Sequence, residues 1–583
     1  MPIPIQITLT TAGADTGPTF DLYCIDPSGV ATTPFETGVL LTDLQVGYST
    51  LIGDTCTGVR VRSVGDCTNY TDISIVFITT TTTTSTTTTT TTTAVPLQMM
   101  TINAFNLRSI TFSSFTSLTD DVIIDWGDGS SDTYSIGNSN PSHSYLVGGY
   151  TGLITIKSVD LTTITDINLV STTPLSAPPY YPVSIFTSEL VKLDGLDNLY
   201  LGAHIYLDGL VAELPRSLQY ATIISTNLSG NISALPVGMI NLQVYGLNTI
   251  SGDTINLPGT LIYLIITGSN SIDGLLEDMP SSLTYIDIEG VNTIHGDISG
   301  LPNPSGLTSV TLLGNTYVEG NVNGITLYTA LTRLVIFGNT SALHGANTVF
   351  GDVVDLPPNL INIQIDGANT LSGDIADLPP LLTYVYIDGQ NTIGGLTSGF
   401  GLSGVTTFNI GGQNQIDGDI SFLNVSLELA IGGNTTVYGD VVDLNRTLTY
   451  LLLGGNTTVT GQLYDLPPSL VNCTISGDNS LSGDVNIDLP LSLTFIVLES
   501  GFLSIIYTHA SPRAWPASMR KVGLLNGVPF TTTEIDNILN DLALATTSWS
   551  GDKVVNLNGV RSSASNAAVL TLVGGLGVTV NIV

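Results

Sequence analysis

The chain has 583 residues, and 13 Lys and Arg against 48 Asp and Glu give it a formal net charge of −35. A polyanion of this kind repels nucleic acids and anionic lipid surfaces, which argues against both as direct partners. Hydrophobic residues make up 42% of the chain and glycines number 61, a composition that favours β-structure with frequent turns.

Residues 1–78 contain short alternating segments such as "FDLYCI" and "GVRVRSV", which predict a small antiparallel β domain. The opening "MPIPIQITLTTAGADTG" has neither the basic start nor the apolar stretch of a secretory signal, and no apolar run of transmembrane length follows. We therefore expect synthesis in a cytosol without export through a signal peptide. Cys56 and Cys67 are candidates for a disulfide in this domain, and reduced, buried cysteines are the alternative.

Residues 79–96 form a linker that is almost pure threonine. It has no periodic apolar residues, so neither an amphipathic helix nor a half-buried strand is expected. Because β-branched side chains are stiff, the tract should be extended. In a secreted protein it would suggest an O-glycosylated stalk. The missing signal peptide favours the alternative, a polar spacer between two folded parts.

Residues 97–178 predict a second β domain around the turn "IDWGDGSSD". Asp125 and Asp128 in this turn suggest calcium, but the loop lacks the carboxylate density of an EF-hand-type site, so we predict no metal. His143 is assigned a structural role. The five histidines of the chain are scattered without metal-ligand or catalytic-triad spacing, and no cofactor is predicted.

Residues 179–500 carry an internal repeat. Asparagines advance by 20 to 23 residues with one step of 32, and a second marker, a Leu-Pro or Met-Pro pair, advances by 21 or 22. Two independent markers with one period predict a solenoid, because no single unit can bury its own apolar face. The aligned asparagines are Asn227, Asn248, Asn270, Asn292, Asn315, Asn347, Asn369, Asn391, Asn414, Asn434, Asn456 and Asn479.

One unit, "LTYIDIEGVNTIHGDISGLP", shows the expected coil. Leu283 and four isoleucines should point inward, while Asp287 and Glu289 alternate outward as in a strand. An asparagine at the turn can satisfy backbone groups that would otherwise be buried unpaired. Stacked coils should therefore contain a structural asparagine ladder, formed by Asn248, Asn270, Asn292, Asn369, Asn391, Asn456 and Asn479.

A row of mainly aromatic residues recurs at one position on the outward side of the first strand of each coil. Aromatic side chains in a row can stack on sugars, or they can simply stack on one another along a sheet. Both interpretations remain open from the sequence. The candidate binding residues are Tyr220, Tyr263, Tyr285, Arg333, Tyr384, Tyr450 and Phe495.

Acidic residues recur directly after glycine in the coils. Two carboxylates in such a row can hydrolyse glycosidic bonds, but no pair is singled out, and turn capping at a solvated edge is the alternative. We therefore predict no enzymatic activity and no catalytic residues. The residues of this row are Asp253, Asp297, Asp352, Asp374, Asp419, Asp440 and Asp484.

The irregular step of 32 residues places an insertion near "FGNTSALHGANT", and insertions in solenoids form loops that often carry function. After the array, residues 501–583 predict a small α/β cap. Its helix should begin with a capping box of Thr531 and Glu534. Such a cap would cover the open sheet edge of the solenoid, which otherwise invites aggregation.

The repeat "LINIQIDGANTLSGDIADLPP" resembles the leucine-rich repeat, with one extra residue before Asn369. "IDWGDGSSDTYS" looks like the signature turn of a PKD-type, Ig-like sandwich. Residues 1–78, with "ITLTTAGADTGPTFDLY" and "RVRSVGDCTNYTD", look like an N-terminal module of virion proteins from Bacteroidetes-infecting phages, including crAss-like ones. The C-terminal "TTTEIDNILNDL" is similar to the ends of repeat proteins from these bacteria and their phages.

These resemblances imply a mostly β virion surface protein, a fibre, spike or head decoration. Residues 1–78 would anchor it to other virion proteins, the threonines would be the spacer, and the solenoid would attach to a host cell-surface glycan or protein. Several copies per particle, or a homo-oligomer, are expected. A purely structural virion component is the alternative, and a bacterial surface adhesin is disfavoured by the missing signal peptide.

Overall fold

A computed structural model describes residues 3–7, 18–26, 31, 33–46, 48–52, 56, 58–64, 70–74, 96–145, 149–171, 182–202, 204–338, 347–500 and 502–583. The chain divides into two compact units, 1–94 and 95–583. The predicted threonine spacer, Cys67 and most of the predicted insertion segment lie outside the described residues.

The first unit is an antiparallel β-structure. β1 pairs with β4, and the other strands form a sheet in the order β3-β2-β5-β6. Phe20, Leu22 and Val59 are among its buried core residues. Cys24 forms a disulfide with Cys56, which replaces the pairing of Cys56 with Cys67 suggested by the sequence. The elements are β1 (Ile3–Ile7), β2 (Thr19–Ile25), β3 (Pro34–Leu40), α1 (Leu41–Val46), β4 (Tyr48–Ile52), β5 (Gly58–Val64) and β6 (Tyr70–Ser74).

The second unit begins with a β-sandwich around the fully buried Trp126. One layer pairs β10, β9, β13 and β7 in that order, and in the other layer β8 pairs with β11, β12 and β14. Its strands are β7 (Gln98–Leu107), β8 (Ser109–Ser117), β9 (Val122–Asp125), β10 (Ser131–Tyr134), β11 (Gly137–Ser139), β12 (Ser142–Ser144), β13 (Tyr150–Ser158) and β14 (Ile164–Ser171).

A solenoid of parallel strands follows the sandwich. Each coil contributes one strand to a first parallel sheet, sheet A, and one strand to a second, sheet B. The strands are β15 (Val183–Phe186), β16 (Asn198–Leu201), β17 (Ile205–Leu210), β18 (Tyr220–Asn231), β19 (Asn241–Asp253), β20 (Tyr263–Leu275), β21 (Tyr285–Asp297), β22 (Ser309–Gly314), β23 (Tyr317–Asn321), β24 (Arg333–Gly338), β25 (Thr348–Asp352), β26 (Asn362–Ile365), β27 (Thr370–Asp374), β28 (Tyr384–Ile387), β29 (Thr392–Leu396), β30 (Thr407–Ile410), β31 (Gln415–Asp419), β32 (Glu428–Ile431), β33 (Thr436–Asp440), β34 (Tyr450–Gln462), β35 (Asn472–Gly477), β36 (Ser480–Asp484), β37 (Phe495–Glu499) and β38 (Ser504–Ile506).

Short helices connect the two sheets within each coil. A short α-helix, α2 (Thr187–Leu190), fills this place at the start of the solenoid, 3-10 helices fill it in the following coils, and a turn fills it between β36 and β37. In β18 to β21 and in β34 one long strand serves both sheets, with a register shift between its two halves. The 3-10 helices are Val211–Glu213, Ile232–Ala234, Thr254–Asn256, Leu276–Asp278, Ile298–Gly300, Val322–Ile325, Val353–Asp355, Ile375–Asp377, Thr397–Gly399, Ile420–Phe422, Val441–Asp443 and Leu463–Asp465.

Both sheets of the solenoid start in the sandwich. β14 pairs with β8 on one side and, in parallel, with β16 on the other, so it is the first strand of sheet A. β15 pairs with β7 and with β17, which connects the other sandwich layer to sheet B. One hydrophobic core runs without interruption from Met100 to Val578. The sandwich therefore covers the first edges of both sheets, which would otherwise be exposed.

Glycines allow neighbouring coils to approach closely. Gly389 has a φ of +127°, and a Cβ there would lie 2.5 Å from the backbone nitrogen of Asn369 in the preceding coil. Gly373 has a φ of +115°, and its Cβ would lie 2.3 Å from a carboxylate oxygen of Asp352. Only glycine combines this conformation with this spacing.

The C-terminal cap extends sheet A by three strands, β39 (Ser518–Leu525), β40 (Ser548–Leu557) and β41 (Thr579–Ile582), with α3 (Thr532–Ala545) and α4 (Asn566–Leu570). Two further 3-10 helices span Leu161–Thr163 and Ser563–Ser565, and a π-helix spans Thr571–Gly575. The capping box of Thr531 and Glu534 is confirmed.

Arg513 connects the cap to the solenoid. It is 2% exposed, and its guanidinium donates to four backbone carbonyls of the last coil. The predicted mostly β fold with a leucine-rich-repeat-like solenoid and a small α/β cap is confirmed.

Candidate functional site

The outer face of sheet A is the face opposite the core. In β20, Leu264 and Ile266 are fully buried and Tyr263 alternates with them. Strand pairing aligns the corresponding residues into one row, which contains all seven candidate binding residues. From sandwich to cap the row reads Asp166, Asn198, Tyr220, Asn241, Tyr263, Tyr285, Ser309, Arg333, Asn362, Tyr384, Thr407, Glu428, Tyr450, Asn472, Phe495 and Lys521.

The aromatic residues of this row do not form one continuous stack. Tyr263 and Tyr285 are direct neighbours, with ring centroids 4.3 Å apart and an interplanar angle of 13°. Tyr220 is separated from them by Asn241 and is 42% exposed. Tyr384, Tyr450 and Phe495 likewise have polar neighbours in the row. Packing of aromatic rings on one another therefore accounts for one pair, not for the whole row.

Further aromatic residues of the outer face were missed in the sequence. Tyr386, two residues after Tyr384, lies with its ring centroid 5.4 Å from that of Phe337. Tyr245 lies two residues after Gln243, and its hydroxyl donates to the Gln243 side chain at 3.2 Å. Alternate residues of a strand face the same side of the sheet, so residues two or four positions after a row residue also lie on the outer face. This alternation is the sequence signal that identifies them.

Two polar atoms at the centre of the outer face have no hydrogen-bond partner among the described residues. Oδ1 of Asp287 and Oγ of Ser309 are buried, and neither makes a hydrogen bond to a described residue. Ser309 stands in the row between Tyr285 and Arg333, and it is 4% exposed. Arg333 donates from Nε to Oγ1 of Thr311 at 3.2 Å. Buried polar groups in proteins are normally satisfied, so these two atoms are exceptions to that rule, as is Oδ1 of Asn472 further along the row.

Burial raises the pKa of Asp287 to about 6, and the neighbouring charge of Glu289 adds to this effect while Arg333 opposes it. Burial also raises the pKa of Tyr263 to about 12, so this phenol is neutral at physiological pH and can donate or accept a hydrogen bond. The centre of the outer face thus offers stacking surfaces, a carboxylate, a hydroxyl and a guanidinium within neighbouring strands.

The raised pKa of Asp287 predicts a pH-dependent stability. The folded state holds this proton more tightly than the unfolded state, so stability falls as pH rises from about 4 to about 6 and stays lower above that range. Asp287→Asn removes this loss. We expect the variant to be more stable than the native chain at pH 7 and to match it below pH 4. Urea unfolding midpoints across this range measure the difference, and equal midpoints at pH 7 would contradict the assignment.

The asparagine ladder lies inside the turns between the sheets. Asn369 is fully buried, its Oδ1 accepts from the backbone nitrogen of Val349 at 3.0 Å, and its Nδ2 donates to the carbonyl of Asp388 at 3.0 Å. One side chain thereby connects three successive coils. The asparagines buried at this position are Asn248, Asn270, Asn292, Asn347, Asn369, Asn391, Asn414 and Asn479.

The prediction for Asn456 is wrong. Its side chain is exposed, and Thr457 occupies the ladder position, donating to the carbonyl of Ser476. The ladder residue stands two positions before the buried apolar residue of the sheet B strand, here Val459. The ladder position is therefore found by counting two residues back from that apolar residue. Aligning the coils on their asparagines does not always find it. The same count places threonine in three more coils, at Thr226, Thr316 and Thr435.

The recurring carboxylates after glycine cap the short helices, so the turn-capping interpretation is confirmed. Asp374, for example, accepts from the backbone nitrogen of Ala376 at 2.8 Å. Such N-caps satisfy a backbone donor that a helix leaves unpaired. The same bond, to the nitrogen two residues later, is made before a 3-10 helix by Asp253, Asp297, Asp352, Asp419 and Asp440, and before a turn by Asp484.

The sandwich turn uses its carboxylates internally. Asp125 pairs with Lys157 at 2.9 Å, and this bond lowers the pKa of the carboxyl. Asp128 accepts from Ser130 and His143, which together lower its pKa to about 2. Within the described ranges, no group of three or more metal-ligating side chains could hold an ion. No described helix is long and apolar enough to cross a membrane.

Comparison with known proteins finds solved structures that resemble this chain at low sequence identity. No family model matches the chain, and no curated protein matches it. The fold is similar to the plant peptide hormone receptor RGFR1 in complex with RGF2, with a TM-score of 0.44 and 17% identity, covering 68% of each chain. It is also similar to the functional domain of InlJ from Listeria monocytogenes, which includes a cysteine ladder. That match has a TM-score of 0.36 and 15% identity, and it covers 71% of this chain and 78% of the other.

Proposed function

We propose that this chain is an adhesin-type binding protein whose outer face of sheet A attaches to a partner on a cell surface. The observation that carries the proposal is the pair of unpartnered buried atoms, Oδ1 of Asp287 and Oγ of Ser309, beside the stacked rings of Tyr263 and Tyr285. A few convergent polar groups next to apolar ring faces are the usual composition of a ligand site. A glycan or a protein side chain would supply the missing hydrogen bonds once these side chains turn outward on binding.

We further propose that the protein acts on the surface of a phage particle. The sequence of residues 1–78 supports this proposal through its resemblance to N-terminal modules of virion proteins. The division of the chain into units 1–94 and 95–583 is compatible with an anchor and a separate binding body. Other virion proteins would be the partners of the anchor, and the binding body would face the host.

A purely structural virion role is the second candidate. It is favoured by the stacking of Tyr263 on Tyr285, because such a pair stabilises a sheet by about 0.5–1.5 kcal/mol without any ligand. In that case the outer face would contribute to stability alone.

Replacing Tyr263, Tyr285 and Tyr384 with Ser separates the two candidates. We expect adsorption of particles to host cells to fall strongly, because the rings that stack on the ligand are gone, while incorporation into particles is unchanged. Adsorption per particle and protein content per particle are measured on the same preparation. Unchanged adsorption together with lower thermal stability would support the structural role instead.

A matched control uses three exposed tyrosines that lie away from the outer face of sheet A. Tyr317 and Tyr438 belong to sheet B strands, and Tyr464 belongs to a 3-10 helix; they are 46%, 51% and 60% exposed. Their replacement with Ser should leave adsorption unchanged. A loss of adsorption equal to that of the first triple variant would contradict the assignment of the binding face.

A further inference from the structure

The outer face of sheet A contains a cavity of about 330 Å³ where the sandwich joins the solenoid. Its walls come from β14, the last sandwich strand, and from β16, β18 and β19 of the first coils. The side chains used below are Asp166, Asn168, Asn198, Tyr200, Tyr220 and Asn241. The cavity ends at β19, and β21, which carries Asp287, lies two strands further along sheet A. The sequence did not predict this cavity.

Hydrogen bonds from β8 hold two of these side chains in place. Ser114 donates to Oδ1 of Asp166 at 3.0 Å, and Ser113 donates to Oδ1 of Asn168 at 2.7 Å. Gln243 holds Asn241 in the same way, by donating to its Oδ1 at 3.0 Å. In each case one oxygen is engaged, and the second carboxylate oxygen or the amide NH₂ makes no hydrogen bond to a described residue. The cavity is thus lined by oriented donors and acceptors.

This set of side chains selects a class of ligand. With their oxygens engaged, the amides of Asn168 and Asn241 present donors, and the second carboxylate oxygen of Asp166 presents an acceptor. Donors next to an acceptor suit the adjacent hydroxyls of a sugar ring. Tyr220 and Tyr200 add aromatic surface for the apolar face of such a ring. The cavity volume is at the lower end of the range for small-molecule sites, in keeping with one or two ring units.

Charge excludes acidic sugars from this cavity. Asp166 is the only ionisable acid or base among its lining residues apart from the tyrosines, and no lysine or arginine is present there. The chain as a whole carries a charge of −35. A carboxylate-bearing or phosphorylated ligand would meet repulsion at long range and an unpaired like charge at contact.

We infer that this cavity binds one neutral hexose unit of a host-surface glycan. The inference rests on the proposed binding function and names its ligand class at a second position of the same face. Asn198 and Asp166 hold neighbouring hydroxyls, Asn168 and Asn241 donate from their amides, and Tyr220 stacks on the ring.

Saturation-transfer NMR on the full chain tests the inference with defined probes: maltotriose, cellotriose and mannotriose as neutral ligands, and sialyllactose as an acidic one. We expect transfer to at least one neutral trisaccharide and none to the sialic acid of sialyllactose. Asn198→Leu and Tyr220→Ala should each weaken the affinity by about tenfold or more. Tyr438→Ala, at an exposed tyrosine of a sheet B strand away from the outer face of sheet A, should bind as the native chain does.

Thermal melting of each variant shows whether the fold is retained, and both pocket variants change partly exposed side chains. Absence of transfer to all three neutral trisaccharides, or equal binding by the native chain and both pocket variants, overturns the inference. Normal adsorption by the pocket variants together with lost adsorption by the Tyr263, Tyr285 and Tyr384 variant would sink the pocket assignment and leave the proposed function standing. If the pocket variants lose saccharide binding but no outer-face variant affects adsorption, the pocket assignment stands and the proposed function is contradicted.

Discussion

A chain shortened to residues 182–583 should fail to form a soluble solenoid, whereas residues 95–583 should fold. The shorter chain lacks β14 and β7, so β16 and β15 become open edges of sheets A and B. It also loses a close contact of the first coil, where a Cβ at Gly195 would lie 1.7 Å from the carbonyl oxygen of Thr162. Open parallel edges beside an uncovered apolar core lead to aggregation.

Size-exclusion chromatography and circular dichroism of the two chains measure this difference. We expect the longer chain to elute as a folded species with a cooperative melt, and the shorter one to be recovered mainly as aggregate. The same melting temperature and solubility for both chains would show that the sandwich is a dispensable neighbour of the solenoid and not its N-terminal cap.

Asn369→Ala should strongly destabilise the solenoid. The substitution removes the acceptor of a buried N–H at Val349, whereas the carbonyl of Asp388 keeps a hydrogen bond from Asn391. Each buried group left unsatisfied costs about 1–3 kcal/mol. The free energy of unfolding should fall by that amount or more, and urea titration with an unchanged slope would measure it.

Two further variants give this prediction its controls. Asn456→Ala should have almost no effect, because that side chain is exposed. Asn369→Thr should lie between the two, because a threonine at the equivalent position, Thr435, donates to the carbonyl of Gly454 at 2.7 Å. Equal losses for Asn369→Ala and Asn456→Ala would mean that the ladder contributes nothing specific.

The repeat period predicted the coil and most of its ladder, and the exceptions have a common cause. An asparagine and a threonine stand side by side in coils such as that of Asn456 and Thr457. Which of them is buried depends on the register of the sheet B strand, since one position of shift turns a side chain from the core to solvent. The asparagine was therefore a reliable marker of the period but not of the buried position.

The candidate site was only partly accessible from the sequence. Period-2 alternation placed Tyr263, Tyr285 and Arg333 on one face correctly, because strand alternation is a local property. The missing hydrogen bonds of Asp287 and Ser309 could not be predicted from the sequence, because they depend on which side chains of adjacent coils cover these residues. The disulfide between Cys24 and Cys56 was also missed, because the fold brings together two residues that are 32 positions apart in the sequence.

The sequence by itself determined the coil length, the inward apolar positions and the caps of the short helices, because each of these follows from interactions within one or two turns of chain. Only the tertiary structure decided that the sandwich and the solenoid share two sheets and one core. It also decided that Asp166 and Asn168 of the sandwich meet Asn198 and Tyr220 of the solenoid around one cavity. Pairing between strands from separate segments has no local pattern, because it depends on which edges remain open after each segment has folded.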